Sequence, residues 1–283
     1  MPCDTAFRIV ARRHLLTLSI RQEATCRGDP DALHDMRVAL THLRATIRLF
    51  SPMVDDAVKP RIWSELKWLN GALGAVRDLD VASKRIEAVN PERPQANRHS
   101  ASLHKKSTQS HRQLAQSLRS KRFQRLIART SQWIASGPWS TIAGKPAAKR
   151  RAVPVTVYGA RKLARWQKKL LRKCRKLRDM DARRRHRLRI FTKRLTCSIE
   201  SFADLFEDKA LAGQKGALKP LRKAQQCLGQ LNDEVRGEAL ALSLRKSGIA
   251  IPQHVLGKKR KKRLLRTAEK AYRKLATLKL AKH

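Results

Sequence analysis

Apolar residues recur every three or four positions over most of this 283-residue chain. This spacing places apolar side chains on one face of an α-helix, whereas a half-buried strand alternates apolar and polar residues. The stretch at 33–50, LHDMRVALTHLRATIRLF, shows the helical period clearly. A strand-like alternation is confined to the short segment AVPVTVY at 152–158. The periodicity therefore predicts an all-α protein.

Glycine and proline interrupt this pattern and predict eight helices, four on each side of a linker. Asp29-Pro30 is typical of an N-cap followed by proline at the first helical position. Gly137-Pro138 opens the predicted linker, which covers residues 137–154 and is rich in glycine, proline and basic residues. The predicted helices cover about 5–26, 30–50, 58–89, 95–136, 155–177, 183–206, 211–246 and the segment from about 254.

The second half of the chain repeats features of the first half. A shift of 152 residues places His34 on His186, and a shift of 155 places Leu73-Gly74 on Leu228-Gly229. Two matching blocks in the same order predict a duplication. We expect each copy to form a four-helix bundle, with the two bundles related by approximate two-fold symmetry. The predicted repeats cover about 5–136 and about 155–283.

The net charge is +43, because 65 lysines and arginines outnumber 22 acidic residues. Both halves are basic, and self-repulsion at this charge opposes compaction. A polyanionic partner would relieve the repulsion. Nucleic acid, anionic lipid and a phosphate polymer all qualify, and composition does not choose among them.

Cysteine usage and hydropathy predict the cellular location of the protein. The five cysteines are scattered and form no C-x-x-C pair, so we expect reduced thiols without disulfides or zinc. No apolar run approaches the ~18 residues of a membrane span. Arg12 and Arg13 break the N-terminal apolar stretch, which therefore resembles an amphipathic helix more than a signal peptide. We expect a cytoplasmic protein without membrane attachment, cofactor or metal.

Basic residues form a stripe along the helix predicted at 33–50. At ~100° per residue this stripe lies beside the apolar face, at the margin of a groove between packed helices. The second copy follows the same plan, although Glu200 stands in place of the last arginine. The stripe residues are His34, Arg37, Arg44 and Arg48 in the first copy and His186, Arg189 and Lys193 in the second.

Two interpretations of these stripes stay open. Arginine grips phosphate with a planar fork of donors, lysine adds a mobile charge, and phosphate favours charged histidine. Alternatively, the stripes are solvated edges whose arginines pair with acids on the next helix. Asp78 and Asp233 are candidates for pairing with Arg37 and Arg189.

Weaker signals accompany the stripes. Lys67 and Arg222 also match in the repeat, and they either face the same groove or are surface cations. Gly74 and Gly229 lie within the predicted helices and recur in the repeat, which predicts close helix packing, with a hinge as the alternative. The five tryptophans are expected to anchor the core or helix ends, without a regular series of basic partners. KKRKKR at 258–263 is interpreted as a solvated helix face, with a nucleic-acid patch as the alternative.

Four segments together resemble the CHAD family, the conserved histidine α-helical domain. H-x-M-R-V-A-x-x-x-L-R-x-x-x-R-x-F at 34–50 resembles the family signature, and LGAVRDLDV at 73–81 resembles the block that follows it. HRLRIFTKRL at 186–195 and LGQLND at 228–233 are similar to the counterparts in the second half. The resemblance covers nearly the whole chain.

This resemblance implies two four-helix bundles with a basic channel between them. It also implies binding of inorganic polyphosphate and association with polyphosphate granules. The family often occurs fused to a triphosphate-processing domain, but no such β-rich segment is present, so we expect no catalysis. By position, the resemblance assigns the polyphosphate site to His34, Arg37, Arg44, Arg48, Lys67, His186, Arg189, Lys193, Arg194 and Arg222.

The sequence departs from the family pattern at two places. Thr41-His42 stands where two basic residues are usual, and Leu195-Thr196-Cys197 stands where L-R-Y is usual. Each departure removes a phosphate donor or a supporting contact. Nucleic-acid or nucleoid binding stays the alternative function, with nucleic acid otherwise a weaker competitor. A phosphohydrolase or kinase is disfavoured, because no paired carboxylates converge on the stripe and no G-x-x-x-x-G-K-[ST] loop occurs.

Overall fold

The computed structural model describes residues 1–89, 94–141, 145–203, 212–245 and 257–278. In this part of the chain the regular structure is helical, apart from one isolated bridge between Pro2 and Pro154. The all-α prediction is confirmed. The helices are α1 (Cys3–Ile20), α2 (Gln22–Cys26), α3 (Pro30–Leu49), α4 (Lys59–Val89), α5 (Pro94–Arg119), α6 (Lys121–Ser136), a 3-10 turn (Pro138–Ser140), α7 (Lys145–Ala152), α8 (Val155–Cys174), α9 (Ala182–Ala203), α10 (Ala212–Arg245) and α11 (Lys258–Ala276).

The chain divides into two compact units, each built from separate parts of the sequence. The α3 unit consists of Phe7–Ala148 and Leu240–Gln253. The α9 unit consists of Met1–Ala6, Lys149–Ala239 and His254–His283. The boundaries of the repeats and their two-fold relation stay predictions.

Several predicted helix bounds were wrong, and one break has a clear local cause. The fourth predicted helix ends at Arg119, because Ser120 adopts an extended backbone and its Oγ accepts from Phe123 N at 3.3 Å. That N-cap starts a new helix, α6. The first predicted helix is likewise divided at Arg21. The predicted linker contains α7, so it is not irregular throughout.

The core of the α3 unit is organised around Phe7. Its ring lies 5.8 Å from that of Phe50 and 5.7 and 5.3 Å from those of Trp133 and Trp139. Asp56 ties this cluster to α4, since its carboxylate accepts from both tryptophans and from the first turn of that helix. Aromatic packing and one carboxylate therefore position the start of α4.

The α9 unit is held together by close packing of α8 on α9 and by buried hydrogen bonds. A Cβ placed on Gly159 would lie 2.8 Å from the Phe202 ring, so only glycine allows this approach. The hydroxyls of Thr192 and Tyr272 are 2.7 Å apart within the core. Gln167 Nε2 donates to the carbonyls that end α11, which fixes that helix on α8.

Among the described helices, none is long and apolar enough to span a membrane.

Candidate anion-binding site

The first stripe is oriented by a well-capped α3. Asp29 Oδ1 accepts from Asp31 N at 2.8 Å and from Ala32 N at 3.1 Å, and Pro30 occupies the first helical position. These two backbone hydrogen bonds lower the pKa of Asp29, and the bond from Ala32 has the larger effect. Gly28 precedes the cap with φ of 87°, a backbone conformation that favours glycine. The predicted N-terminus of this helix is confirmed.

The α3 stripe contains both exposed and half-buried cations. His34 and Arg48 are exposed, whereas Arg37 and Arg44 are half-buried. Arg37 Nη1 donates to Leu73 O of α4 at 3.0 Å, which fixes this guanidinium against the neighbouring helix. Lys67 is exposed on that same helix. The structure thus brings Arg37 to the repeated Leu73-Gly74 block.

Arg44 is a desolvated cation of the α3 stripe. Its Nε is buried and has no hydrogen-bond partner within the described residues. Burial, and secondarily the charge of Arg48, lowers the pKa of Arg44. The guanidinium carbons of Arg44 and Arg48 lie 5.0 and 4.7 Å from the centroid of Trp63. Trp63 is a candidate site residue that sequence reasoning missed.

Thr41 and His42, which depart from the family pattern in α3, contact the backbone of α3 and a histidine of α1. Thr41 Oγ1 donates to Arg37 O at 2.8 Å, which is a hydrogen bond within the helix. The His42 ring lies 5.0 Å from that of His14 on α1. Burial, followed by the charges of His42 and Arg13, lowers the pKa of His14 to about 4. His14 is therefore neutral at physiological pH.

The α9 stripe is held by contacts with α10. His186 Nδ1 is hydrogen-bonded to the Asn232 amide oxygen, so this ring nitrogen carries the proton when the imidazole is neutral. Arg189 is half-buried, and its Nε has no hydrogen-bond partner within the described part of the chain. Burial lowers the pKa of Arg189, and the nearby carboxylate of Asp233 opposes that change. Asp233, the candidate partner of Arg189, thus acts on it through charge.

Lys193 of the α9 stripe and its neighbour Arg194 are half-buried cations. The Arg194 guanidinium lies 5.7 Å from the centroid of Phe191, one helical turn away. Thr196 is buried and its Oγ1 donates to Thr192 O at 3.0 Å. Burial raises the pKa of Cys197 to about 12. These two departures from the family pattern are therefore buried in the protein interior.

Arg222 on α10 forms an ion pair with Glu200 on α9. Its Nη2 and Nε lie 2.6 and 3.1 Å from Glu200 Oε1. The carboxylate satisfies part of the donor fork that the family resemblance assigns to phosphate. The counterparts of this pair in the first copy, Arg48 and Lys67, are both cations.

The repeated glycines do not make close helix contacts. A Cβ on Gly74 would meet no heavy atom of another described side chain or helix within 4 Å. On Gly229 it would meet Arg189 Nε at 3.8 Å, an ordinary van der Waals distance. The predicted close packing was wrong at Gly74, which lies beside open space, whereas Gly229 lies within van der Waals distance of the Arg189 side chain.

The sequence predicted the surroundings of only some of the tryptophan side chains. Trp133 and Trp139 are buried in the core as expected. Trp63 and Trp68 are half-buried instead, and each has an arginine over its ring. The prediction failed for Trp63 and Trp68 because the arginines over their rings lie on other helices, so no regular spacing along the sequence reveals the pairs.

The basic segment 258–263 forms the first turns of α11. Lys261 Nζ lies 3.0 Å from Glu234 Oε1, and the other five side chains are exposed. Leu264, Ala268 and Tyr272 occupy the buried face of the same helix. The segment is a solvated helix face, in agreement with the first interpretation.

Comparison with known proteins identifies the fold class and then the family. This all-α chain matches the CHAD domain from the plant Ricinus communis with a TM-score of 0.79 and 23% identity. The match covers 100% of this chain and 94% of that one. PptA from Streptomyces chartreusis matches with a TM-score of 0.57 and 13% identity, over 98% of this chain and 96% of that one. A search of the curated proteins finds no match. The CHAD domain family model matches residues 9–241, and the chain therefore belongs to the CHAD domain family.

Proposed function

We propose that this protein binds inorganic polyphosphate, without catalysing a reaction, through the basic stripes of α3 and α9. The observation that carries the proposal is the burial of the Arg44 and Arg189 guanidiniums. Both guanidiniums are half-buried, and the Nε of each is buried without a hydrogen-bond partner among the described residues. A desolvated cation of this kind is costly unless an anion compensates it. The Asp233 carboxylate offsets only part of this cost for Arg189, because burial still lowers the pKa of Arg189. Membership of the CHAD family supports this proposal.

A phosphate polymer suits these stripes better than a single phosphate ion. Each stripe presents several cations along one helix face, at successive turns. Once one phosphate group is bound, its tethered neighbours reach the next cation at high effective concentration. Affinity should therefore increase steeply with chain length and decrease with salt, because counterions return to the released polymer.

The direct test is a titration with orthophosphate, short chains and long chains of polyphosphate. We expect long chains to bind most tightly. Arg44→Gln with Arg189→Gln should weaken binding by at least tenfold, since each loses a charge-assisted contact worth about 1.5–3 kcal/mol. The matched control is Arg122→Gln with Arg178→Gln. It removes the same charge from arginines that Glu65 and Glu269 already neutralise. Equal affinity for all chain lengths, or equal losses in both double variants, would contradict the proposal.

Histidine protonation offers a second test of the same site. If His34 and His186 contact phosphate, affinity should increase from pH 8 towards pH 6, because the charged imidazole donates from both nitrogens. Replacing both histidines by glutamine should flatten this profile. A pH profile that the replacement leaves unchanged would remove them from direct contact with the polymer.

Nucleic-acid binding is the second candidate, and the exposed cations at 258–263 favour it. Phosphate contacts of exposed lysines and arginines give sequence-independent binding of DNA or RNA. Competition between polyphosphate and duplex DNA at moderate salt separates the candidates. We expect polyphosphate to displace DNA; displacement in the other direction would favour the second function.

Granule association and the absence of catalysis are parts of the same proposal. A fluorescent fusion of the wild-type protein should colocalise with polyphosphate granules in the cytoplasm, and the Arg44→Gln/Arg189→Gln variant should not. Incubation of polyphosphate with the protein and Mg²⁺ should leave the chain length unchanged. Shortening of the polymer would instead indicate a phosphohydrolase.

A further inference from the structure

One indole ring contacts two arginines of the α3 stripe. Arg44 and Arg48 are one helical turn apart on α3, and Trp63 lies on α4. The two guanidinium carbons lie 5.0 and 4.7 Å from the centroid of the Trp63 ring. Both distances are within the range of an attractive cation–π contact.

This arrangement is unfavourable for the arginines in the absence of an anion. They are neighbouring like charges, and the charge of Arg48 contributes to lowering the pKa of Arg44. Arg44 is also desolvated, and its buried Nε has no partner in the described part of the chain. The negative face of the indole offsets part of this cost. It does so without forming a hydrogen bond to either guanidinium.

Stacking on a ring leaves the donors of a guanidinium available. The five N–H groups point outwards in the plane of the guanidinium, whereas the ring contacts its flat face. A carboxylate partner would occupy two of those donors instead. Two arginines stacked on one tryptophan can therefore both direct their donors at the same oxyanion.

We propose that Trp63 is a positioning residue, which holds Arg44 and Arg48 side by side as a clamp for one phosphate group of the polymer. This inference rests on the proposed function, because it specifies how one subsite of the α3 stripe recognises phosphate. The clamp belongs to the α3 unit. In the α9 unit Glu200 replaces the second arginine and pairs with Arg222.

The same helix carries a natural control for the stacking itself. The Arg122 guanidinium lies 4.1 Å from the centroid of Trp68. Its Nε and Nη2 donate to Glu65 at 2.7 and 3.0 Å, so its fork is already occupied. The Trp68 ring is thus also stacked with an arginine, but the donors of that arginine are occupied by Glu65.

The test is a double-mutant cycle on polyphosphate affinity. Trp63→Leu should weaken binding by about tenfold, and Trp63→Phe should weaken it less because an aromatic face remains. Trp68→Leu should leave affinity within about twofold. In an Arg44→Gln/Arg48→Gln background, Trp63→Leu should have almost no further effect, since a positioning residue acts only through its arginines. An equal loss in both backgrounds would overturn the proposal, as would unchanged affinity in Trp63→Leu.

A spectroscopic readout separates this proposal from the proposed function. In the free protein the Nε–Hε resonances of Arg44 and Arg48 should be shifted upfield by the indole ring, and Trp63→Leu should remove that shift. Pyrophosphate should then move both resonances together in the wild type but not in Trp63→Leu. If the wild type binds no long-chain polyphosphate, the proposed function fails. The joint response to pyrophosphate then still supports the clamp, and its absence overturns the clamp.

Discussion

Arg222 of α10 donates two hydrogen bonds to a single oxygen of Glu200 on α9, at 2.6 and 3.1 Å. The repeat places cations, Arg48 and Lys67, at both corresponding positions of the first copy. One copy thus contains a neutralised pair where the other contains two positive charges. The two stripes are similar in sequence but unequal in the charge that they offer to an anion.

Glu200→Gln should increase polyphosphate affinity. The substitution leaves the Arg222 fork without its carboxylate and adds one unit of positive charge, so we expect an increase of about two- to tenfold at low salt. Glu269→Gln is the matched control, because it breaks a similar ion pair with Arg178 at 2.6 Å. Binding titrations at two salt concentrations measure the difference. Equal gains in the two variants would mean that only net charge matters.

Alanine substitutions at two glycines should change stability in opposite directions. Gly159→Ala should reduce the free energy of unfolding by about 1–2 kcal/mol, because the new Cβ overlaps the Phe202 ring. Gly74→Ala should increase it by up to about 1 kcal/mol, because a helical glycine is replaced where space is open. Urea unfolding followed by circular dichroism compares the variants. Destabilisation by Gly74→Ala would restore the idea of close packing there.

Asp56→Ala should be among the most destabilising single changes in the α3 unit. The carboxylate caps α4 through Val58 N and Lys59 N, and it also accepts from Trp133 Nε1 and Trp139 N. Losing a cap and leaving two donors unpaired should cost about 2–4 kcal/mol.

Asp29→Ala is the control for this change, since it removes only the cap of α3 and should destabilise the protein less. Denaturant midpoints of the two variants provide the comparison. Equal losses would show that the tryptophan hydrogen bonds contribute little.

His14 should make stability depend on pH between about 4 and 6.5. Its pKa is about 4 in the folded protein and 6.5 in the unfolded chain, so the unfolded chain binds the proton first as pH falls. The free energy of unfolding should therefore be highest above pH 6.5 and decrease by up to about 3 kcal/mol towards pH 4. His14→Gln should remove this component from unfolding curves measured across the range. Parallel pH profiles for wild type and variant would contradict the low pKa.

Local sequence signals predicted much of the secondary structure. Apolar period, Asp29-Pro30 and the breaks near Gly137 act over a few residues, so they can be recognised without knowing which helices meet. Their success is clearest at α3, where the predicted cap and the periodicity agree, and at α4, which covers Lys59–Val89 as the apolar period predicted. The signals failed at α7, a short helix in a segment where glycine, proline and charge indicated a linker.

By itself, the sequence determined the helical class, the repeated His/Arg helix and the candidate cations, because these depend on residue type and spacing along one chain. Only the tertiary structure decided which cations are paired, stacked or desolvated. Trp63 meets Arg44, His14 meets His42 and Glu200 meets Arg222 across different helices. Such contacts depend on which helix faces pack together, and no short-range pattern encodes that choice.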